Sequence, residues 1–204
     1  MNARFWVLLL LVLASHAISA AQSTDKSAVD VCFPNRILRF NTENVCAVDF
    51  ANTRVYGENK GWTAELRNGK YERKSSVFYE WAKLDHVYCF HHGRSALLVT
   101  VWMDCGGSCT NVGVAQLVAI RNGHPVITQQ FAFNSDAQGT GVSFDEKSLK
   151  LVIIGRSDDH TPHCCPKSLD VVEYHLKGEV FVQEKLTRRS PNSTARASDR
   201  PPKS

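Results

Sequence analysis

The segment Ala96–Met103 reads ALLVTVWM and forms a nearly unbroken apolar run. Its β-branched residues favour a strand, and a strand that is apolar at both alternating positions is expected to be covered on both faces. Leu149–Ile154 (LKLVII) is a second run of the same kind. We therefore predict that these two segments are the central strands of the fold.

Turn signals divide the chain on either side of these strands. Asn68-Gly69, Asn122-Gly123 and Lys177-Gly178 each lie between two apolar or alternating runs. Asn-Gly is typical of a tight hairpin because both residues tolerate positive φ. We predict a hairpin at each of these turns and a connecting loop over residues 134–143, which read NSDAQGTGVS.

Helical periodicity is almost absent from the chain. The one segment with some helical character, Val77–Leu84 (VFYEWAKL), is rich enough in β-branched and aromatic residues to form a strand equally well. The sequence therefore predicts an all-β protein, a single antiparallel domain stapled by disulfides. About eight to ten strands would form a sandwich, an open barrel or a propeller-like fragment.

The first twenty residues are predicted to be a secretory signal peptide. Arg4 supplies the positive charge, Val7–Ala14 (VLLLLVLA) is a short apolar run, and small residues follow through Ala21. An uncleaved anchor is the alternative, but the run is shorter than the about 20 residues of a spanning helix. We expect a periplasmic or secreted protein with no transmembrane segment after signal removal.

The mature chain divides by composition and charge. We predict a flexible segment over 21–30, a β domain over 31–186 and a disordered basic tail over 187–204, which has three prolines and no large apolar side chain. The chain has formal charge +4, the tail carries +4 and residues 21–186 carry −1. Because the domain is near neutral and shows no basic groove interleaved with aromatic residues, we predict no nucleic-acid partner.

Cysteine content is the second indication of export. The chain has seven cysteines after the predicted signal peptide: Cys32, Cys46, Cys89, Cys105, Cys109, Cys164 and Cys165. In an exported protein this number predicts disulfides. From proximity we expect Cys32–Cys46 and Cys105–Cys109 bridges and a bond from Cys89 to Cys164 or Cys165, with a vicinal Cys164–Cys165 bridge as the alternative. Because the number is odd, a dimer through an unpaired cysteine is possible.

The segment 158–166 (DDHTPHCCP) has the richest set of metal-binding groups. Oxidised cysteines cannot act as ligands, which leaves Asp158, Asp159, His160 and His163 as candidate ligands for zinc or copper. Their spacing matches no recognised metal motif. The alternative, which we favour, is a rigid loop without a cofactor, in which the aspartates make local turn hydrogen bonds.

Two other clusters have a possible chemical role. Cys89 lies near Asp85, His86, His91 and His92, a set that suggests thiol catalysis, but a disulfide-bonded cysteine beside exposed histidines is the favoured interpretation. The segment 104–109 (DCGGSC) suggests an anion-binding loop or, preferentially, a tight disulfide loop. The sequence contains no Gly-x-Ser-x-Gly elbow, paired-carboxylate motif or dinucleotide fingerprint, so we predict no catalytic residues and no enzyme.

The order of these features resembles a group of exported bacterial proteins of uncharacterised function. The resemblance covers about 62–185, through the Leu66–Tyr71 turn (LRNGKY), the strand entry at Gly93–Val99 (GRSALLV) and the late Cys164-Cys165-Pro166 loop. It implies bacterial export and a β-rich domain, and it implies no activity. The acidic step of that group, similar to an FG-GAP calcium loop, is replaced here by residues 91–94 (HHGR), so no calcium site follows.

The sequence thus predicts an exported, non-enzymatic binding or interaction domain whose partner is an unknown protein or small ligand. One alternative is a periplasmic metal-binding protein that uses residues 158–165. Another is an inhibitor of a secreted hydrolase that presents the loop at 104–109 or 158–166, because a stapled loop loses little entropy on binding.

Overall fold

The computed structural model describes residues 27–38, 40, 42–58, 61–76, 78–105, 110–157 and 167–191. These residues form antiparallel strands and three short 3-10 turns, at Val45–Ala47, Phe50–Asn52 and His91–Gly93, without an α-helix. The strands are β1 (Val29–Cys32), β2 (Arg36–Ile37), β3 (Arg54–Tyr56), β4 (Thr63–Glu65), β5 (Lys70–Lys74), β6 (Tyr79–Phe90), β7 (Ser95–Cys105), β8 (Thr110–Arg121), β9 (His124–Asn134), β10 (Gly141–Asp145), β11 (Lys150–Arg156), β12 (Leu169–Lys177) and β13 (Val180–Arg189).

The strands form two large sheets and one small hairpin. The larger sheet has the order β1-β9-β8-β7-β6-β5, with β2 also paired to β9. The smaller sheet has the order β10-β11-β12-β13, and β3 pairs only with β4. The all-β antiparallel prediction is confirmed, although the predicted eight to ten strands are too few because very short strands such as β2 leave no sequence pattern.

The two large sheets face each other across a common core. Phe131 of β9 contacts Tyr174 of β12 and Phe181 of β13, with ring centroids 4.8 and 6.1 Å apart. Phe144 of β10 packs in the same core against Phe90 of β6. Of the arrangements predicted from the sequence, the sandwich is therefore the one that forms.

A second core covers the other face of the larger sheet. Trp62, from the N-terminal segment, stacks on Trp102 of β7 at 6.1 Å between ring centroids. Along β7, Leu97 faces the sandwich core and Leu98 faces this second core. The prediction that Ala96–Met103 is covered on both faces is confirmed, whereas Leu149–Ile154 is fully buried only on the face of Leu151 and Ile153. The two predicted central strands are interior strands of different sheets.

Two of the three predicted hairpins form as expected. Asn122 and Gly123, with φ of 52° and 78°, connect β8 to β9, and Gly178, with φ of 66°, connects β12 to β13. Asn68 and Gly69 also form a turn, but its flanking strands do not pair with each other, which corrects the prediction. β4 is held on β3 and β5 on β6, so the two strands diverge after the turn.

Several strands begin or end a few residues away from the bounds predicted for the neighbouring segments. Residues 79–84 of the segment predicted as helix or strand form the first half of β6, which confirms the strand alternative, whereas β10 begins at Gly141, inside the predicted loop over 134–143. β1 includes two residues of the segment over 21–30 that was predicted to be flexible, and β13 extends to Arg189, inside the predicted tail. The charge composition could not predict where β1 begins or where β13 ends, because both positions depend on contacts with residues that are distant in sequence.

Those partners meet at one buried carboxylate. Asp170 of β12 is fully buried, and it accepts hydrogen bonds from the backbone N–H of Ala28 at 3.1 Å and from Nε of Arg188 at 2.9 Å. Asp170 thus fixes both ends of the domain to the smaller sheet, and this explains why a basic residue of the predicted tail lies in a strand.

Candidate ligand-binding surface

The predicted metal loop lies outside the described residues. This applies to Asp158, Asp159, His160, His163, Cys164 and Cys165, and also to Cys109. In the part of the chain that the structure describes, no three His, Cys, Asp or Glu side chains gather in a way that could hold a metal ion. The metal hypothesis therefore stays a prediction.

A disulfide joins Cys46 to Cys89, with the Cα atoms 5.8 Å apart. This corrects the expected Cys32–Cys46 bridge and the expected partner of Cys89. Proximity in sequence failed because Val45, which is fully buried, anchors its 3-10 turn beside the larger sheet and brings Cys46 to the end of β6. The interpretation of Cys89 as a disulfide-bonded residue is confirmed, and in this state it has no thiolate for catalysis.

Cys32 is a free and exposed thiol. Partial burial and the nearby Glu58 carboxylate raise the pKa of the Cys32 thiol. Because the thiolate is the reactive form, Cys32 is expected to oxidise slowly. Formation of a dimer through Cys32 stays a prediction.

The histidines next to Cys89 lie in different local environments. Nδ1 of His86 lies 2.9 Å from the Asp85 carboxylate, and the His86 ring stacks on Tyr88. His91 and His92 have φ of 51° and 55° in an exposed 3-10 turn, so β6 ends before His91 can share a face with Cys89.

A small polar cavity of about 190 Å³ lies beside β1 and the end of β11, lined in part by Asp30, Glu58 and Arg156. Burial, and then the Asp30 charge, raise the pKa of the Glu58 carboxyl. Arg156 is buried and pairs with Asp136 at 3.6 Å. The cavity is smaller than the roughly 300–1,000 Å³ of typical small-molecule sites, so we assign it no ligand.

A bulge in β6 creates a more extensive candidate surface. Leu84 pairs with Thr100 and His86 with Val99, so Asp85 is the additional residue. After the bulge, Tyr88 and Phe90 contact the sandwich core. Residues 79, 81 and 83, before the bulge, are on the same side of the sheet but outside that core, where they are half-buried or exposed.

This open part of the sheet face combines aromatic and basic side chains. The Trp81 indole N–H donates to Sδ of Met103 at 3.2 Å. The Tyr79 hydroxyl donates to Glu72 at 3.1 Å, and burial together with this hydrogen bond raises the Tyr79 pKa. Lys70 is paired in register with Lys83, so two cations lie beside the aromatic pair.

Three adjoining depressions extend this face around the edge of the sheet. The first, of about 220 Å³, is lined by Tyr79, Trp81 and the Lys70–Glu72 segment. The second, of about 370 Å³, shares that segment and also contacts Glu65. The third, of about 320 Å³, extends from Glu65 to Tyr56. We call these three adjoining depressions, which extend from Tyr56 to Trp81, the edge groove.

The edge groove is basic although the domain is near neutral. Residues 67–83 contain five basic and two acidic residues, a formal charge of +3, whereas the rest of 21–186 carries −4. The charge summed over the whole domain conceals this site, because acidic residues elsewhere in 21–186 cancel the local excess of basic residues. A charge count over a window the length of one hairpin would have found it.

The described residues include no helix that is long and apolar enough to cross a membrane. No protein-family model, curated protein or solved structure matches this chain. The resemblance to exported bacterial proteins therefore stays a prediction.

Proposed function

We propose that this protein is an exported, non-enzymatic binding domain whose ligand site is the edge groove. The observation that carries the proposal is the set of half-buried aromatic side chains, Tyr79 and Trp81, surrounded by lysines on an accessible edge of a rigid sandwich. Aromatic side chains with a polar group are typical anchors of interaction surfaces.

Two observations support export. The first twenty residues have the pattern of a signal peptide, and the Cys46–Cys89 disulfide is of a kind that persists in oxidising compartments. The non-enzymatic part of the proposal is supported by Cys89, because the best sequence candidate for a nucleophile is held in that disulfide.

Site-specific photo-crosslinking tests the proposal. A benzoylphenylalanine is placed at Trp81 in the full chain, expressed in an exporting bacterial host, and the control carries it at Lys147, which is exposed in the β10–β11 turn. We expect a discrete cross-linked partner from position 81 and none from position 147. The partner is then purified, and Trp81→Ala should weaken its binding to the purified domain.

Equal labelling from both positions, or unchanged affinity of Trp81→Ala, would overturn the proposal. The alternatives remain predictions with their own tests. A metal-binding protein requires zinc or copper binding that is lost in His160→Ala and His163→Ala. A hydrolase inhibitor requires that substitutions in 104–109 or 158–166, and not in the edge groove, abolish inhibition.

A further inference from the structure

We infer that the edge groove binds an extended acidic polypeptide segment, which adds to β5 as a further strand of the larger sheet. This inference rests on the proposed function and specifies its ligand class and binding mode. Three features of the described residues support it: the direction of the backbone groups on β5, the divergence of β4 from β5, and the charge of the edge.

In the part of the chain that the structure describes, no strand pairs with the outer edge of β5. The backbone N–H of Leu84 donates to the carbonyl of Gly69, which fixes the alternation of the β5–β6 ladder. Residues 71 and 73 therefore bond to β6, and residues 70, 72 and 74 point away from it. Lys70 is already paired with Arg67 in the turn, so Glu72 and Lys74 direct four backbone groups outward.

The groove provides space for a strand at this edge. β4 and β5 leave the same turn, but β4 pairs with β3, so the two strands diverge beyond Arg67 and Lys70. The depression of about 370 Å³ lies at this divergence, between Glu65 and Glu72. An added strand would occupy it with alternate side chains directed to either face of the sheet.

The charge of the edge selects the ligand. Lys70, Lys74 and Lys83 lie on the same face as Trp81, since Lys74 and Lys70 pair in register with Tyr79 and Lys83. On that face Glu72 accepts a hydrogen bond from Tyr79. The excess of cations favours a ligand with acidic side chains at alternate positions.

Basic residues also protect free edges against aggregation, so the two edges of the larger sheet are a useful comparison. On the opposite edge, β1 and β2 both pair with β9 but are separated by residues 33–35, which include Pro34 and the positive-φ residue Asn35. Such an interruption blocks strand addition. β5 has neither a proline nor a bulge.

The test uses the full mature chain and a fluorescein-labelled peptide of alternating glutamate and threonine, with a lysine–threonine peptide as the control. We expect the acidic peptide alone to bind, and its affinity to fall steeply as salt screens the exposed lysines. Charge reversal in Lys70→Glu/Lys74→Glu should weaken binding by about tenfold or more.

A proline variant tests the backbone contact separately from charge. The Glu72 N–H points away from β6, so Glu72→Pro removes an outward donor and leaves the β5–β6 ladder intact. We expect about tenfold weaker binding for Glu72→Pro than for the matched control Glu72→Ala. Circular dichroism and the unfolding midpoint show whether each variant is folded.

Equal binding by the two Glu72 variants would overturn strand addition and indicate recognition by charge alone, as for an acidic polysaccharide. Equal binding of the acidic and basic peptides, or binding of neither, would also overturn the inference. Either result leaves the cross-linking comparison between positions 81 and 147 intact, so failure of this inference is distinguishable from failure of the proposed function.

Discussion

One buried amide connects the two sheets, and its removal gives the most direct test of the fold. Gln129 of β9 is 1% exposed. Its Nε2 donates to the carbonyl of Phe181 at 2.9 Å, and its Oε1 accepts from the N–H of Phe181 at 2.7 Å. Phe181 of β13 pairs in register with Leu176 of β12. The Leu176 N–H donates to the Leu149 carbonyl, on the side of β12 that faces away from β13. The Phe181 backbone groups thus point away from β12, and the Gln129 side chain takes the place of a neighbouring strand.

We predict the effect of Gln129→Leu from these contacts. Each of the two Phe181 backbone groups left buried without a partner costs about 1–3 kcal/mol, and this cost already includes the hydrogen bond that the group loses. The new leucine regains about 1–2 kcal/mol through its own burial. The free energy of unfolding should therefore fall by about 2–4 kcal/mol, a large part of the roughly 5–15 kcal/mol of a typical domain.

Urea unfolding followed by tryptophan fluorescence, with the disulfide intact, measures this loss. The matched control is Gln183→Leu, the same chemical change at an exposed position of β13, which should stay within about 0.5 kcal/mol of the wild type. Hydrogen exchange of the Phe181 amide should accelerate in Gln129→Leu at the same time. A loss below about 1 kcal/mol, or an unchanged Phe181 exchange rate, would refute the assignment of Gln129 as the link between the sheets.

Three further predictions concern single groups. The Tyr174 hydroxyl is buried with no hydrogen-bond partner in the described part of the chain, so Tyr174→Phe should leave the free energy of unfolding unchanged or raise it by about 1 kcal/mol; a clear loss would show that the hydroxyl is bonded. Cys46→Ser with Cys89→Ser removes a link across 43 residues and should cost about 4 kcal/mol in denaturant unfolding, whereas an unchanged midpoint would contradict a structural role. Because the folded-state pKa of Glu58 is raised, its stabilising effect is complete below about pH 4 and is lost as the pH rises through the folded pKa. Glu58→Gln should therefore unfold at higher urea than wild type at pH 7, and the difference should disappear towards pH 4.

Local signals were sufficient for much of the fold. Asn122-Gly123 determines its hairpin because the positive φ of both residues fits the tight turn by itself. The apolar run over Ala96–Met103 predicts a strand covered on both faces, because alternate residues enter two different cores. In both cases one short segment carries the whole signal: the turn residues in the first case and the apolar pattern in the second.

Features that depend on distant segments were not predictable. Cys46 lies closer in sequence to Cys32 than to Cys89. It bonds to Cys89 because its 3-10 turn packs against the larger sheet, next to the end of β6. The end of β13 depends in the same way on Asp170, which holds Arg188 from the neighbouring strand. Local charge and cysteine spacing describe one stretch of sequence, so they give no information about contacts with distant segments.

The bulge at Asp85 connects the fold to the proposed site. Without an additional residue, Tyr79 and Trp81 would lie on the opposite face from Tyr88, because their positions differ by an odd number along the strand. The bulge brings them to the same side, so one sheet face continues from the sandwich core into the edge groove. The sheet face that packs against β10–β13 in one half is thus left half-buried or exposed in the other half, where we propose that the ligand binds. Both halves belong to the one strand β6, which pairs with β7 along its whole length, and attachment to a packed core favours a preorganised binding surface.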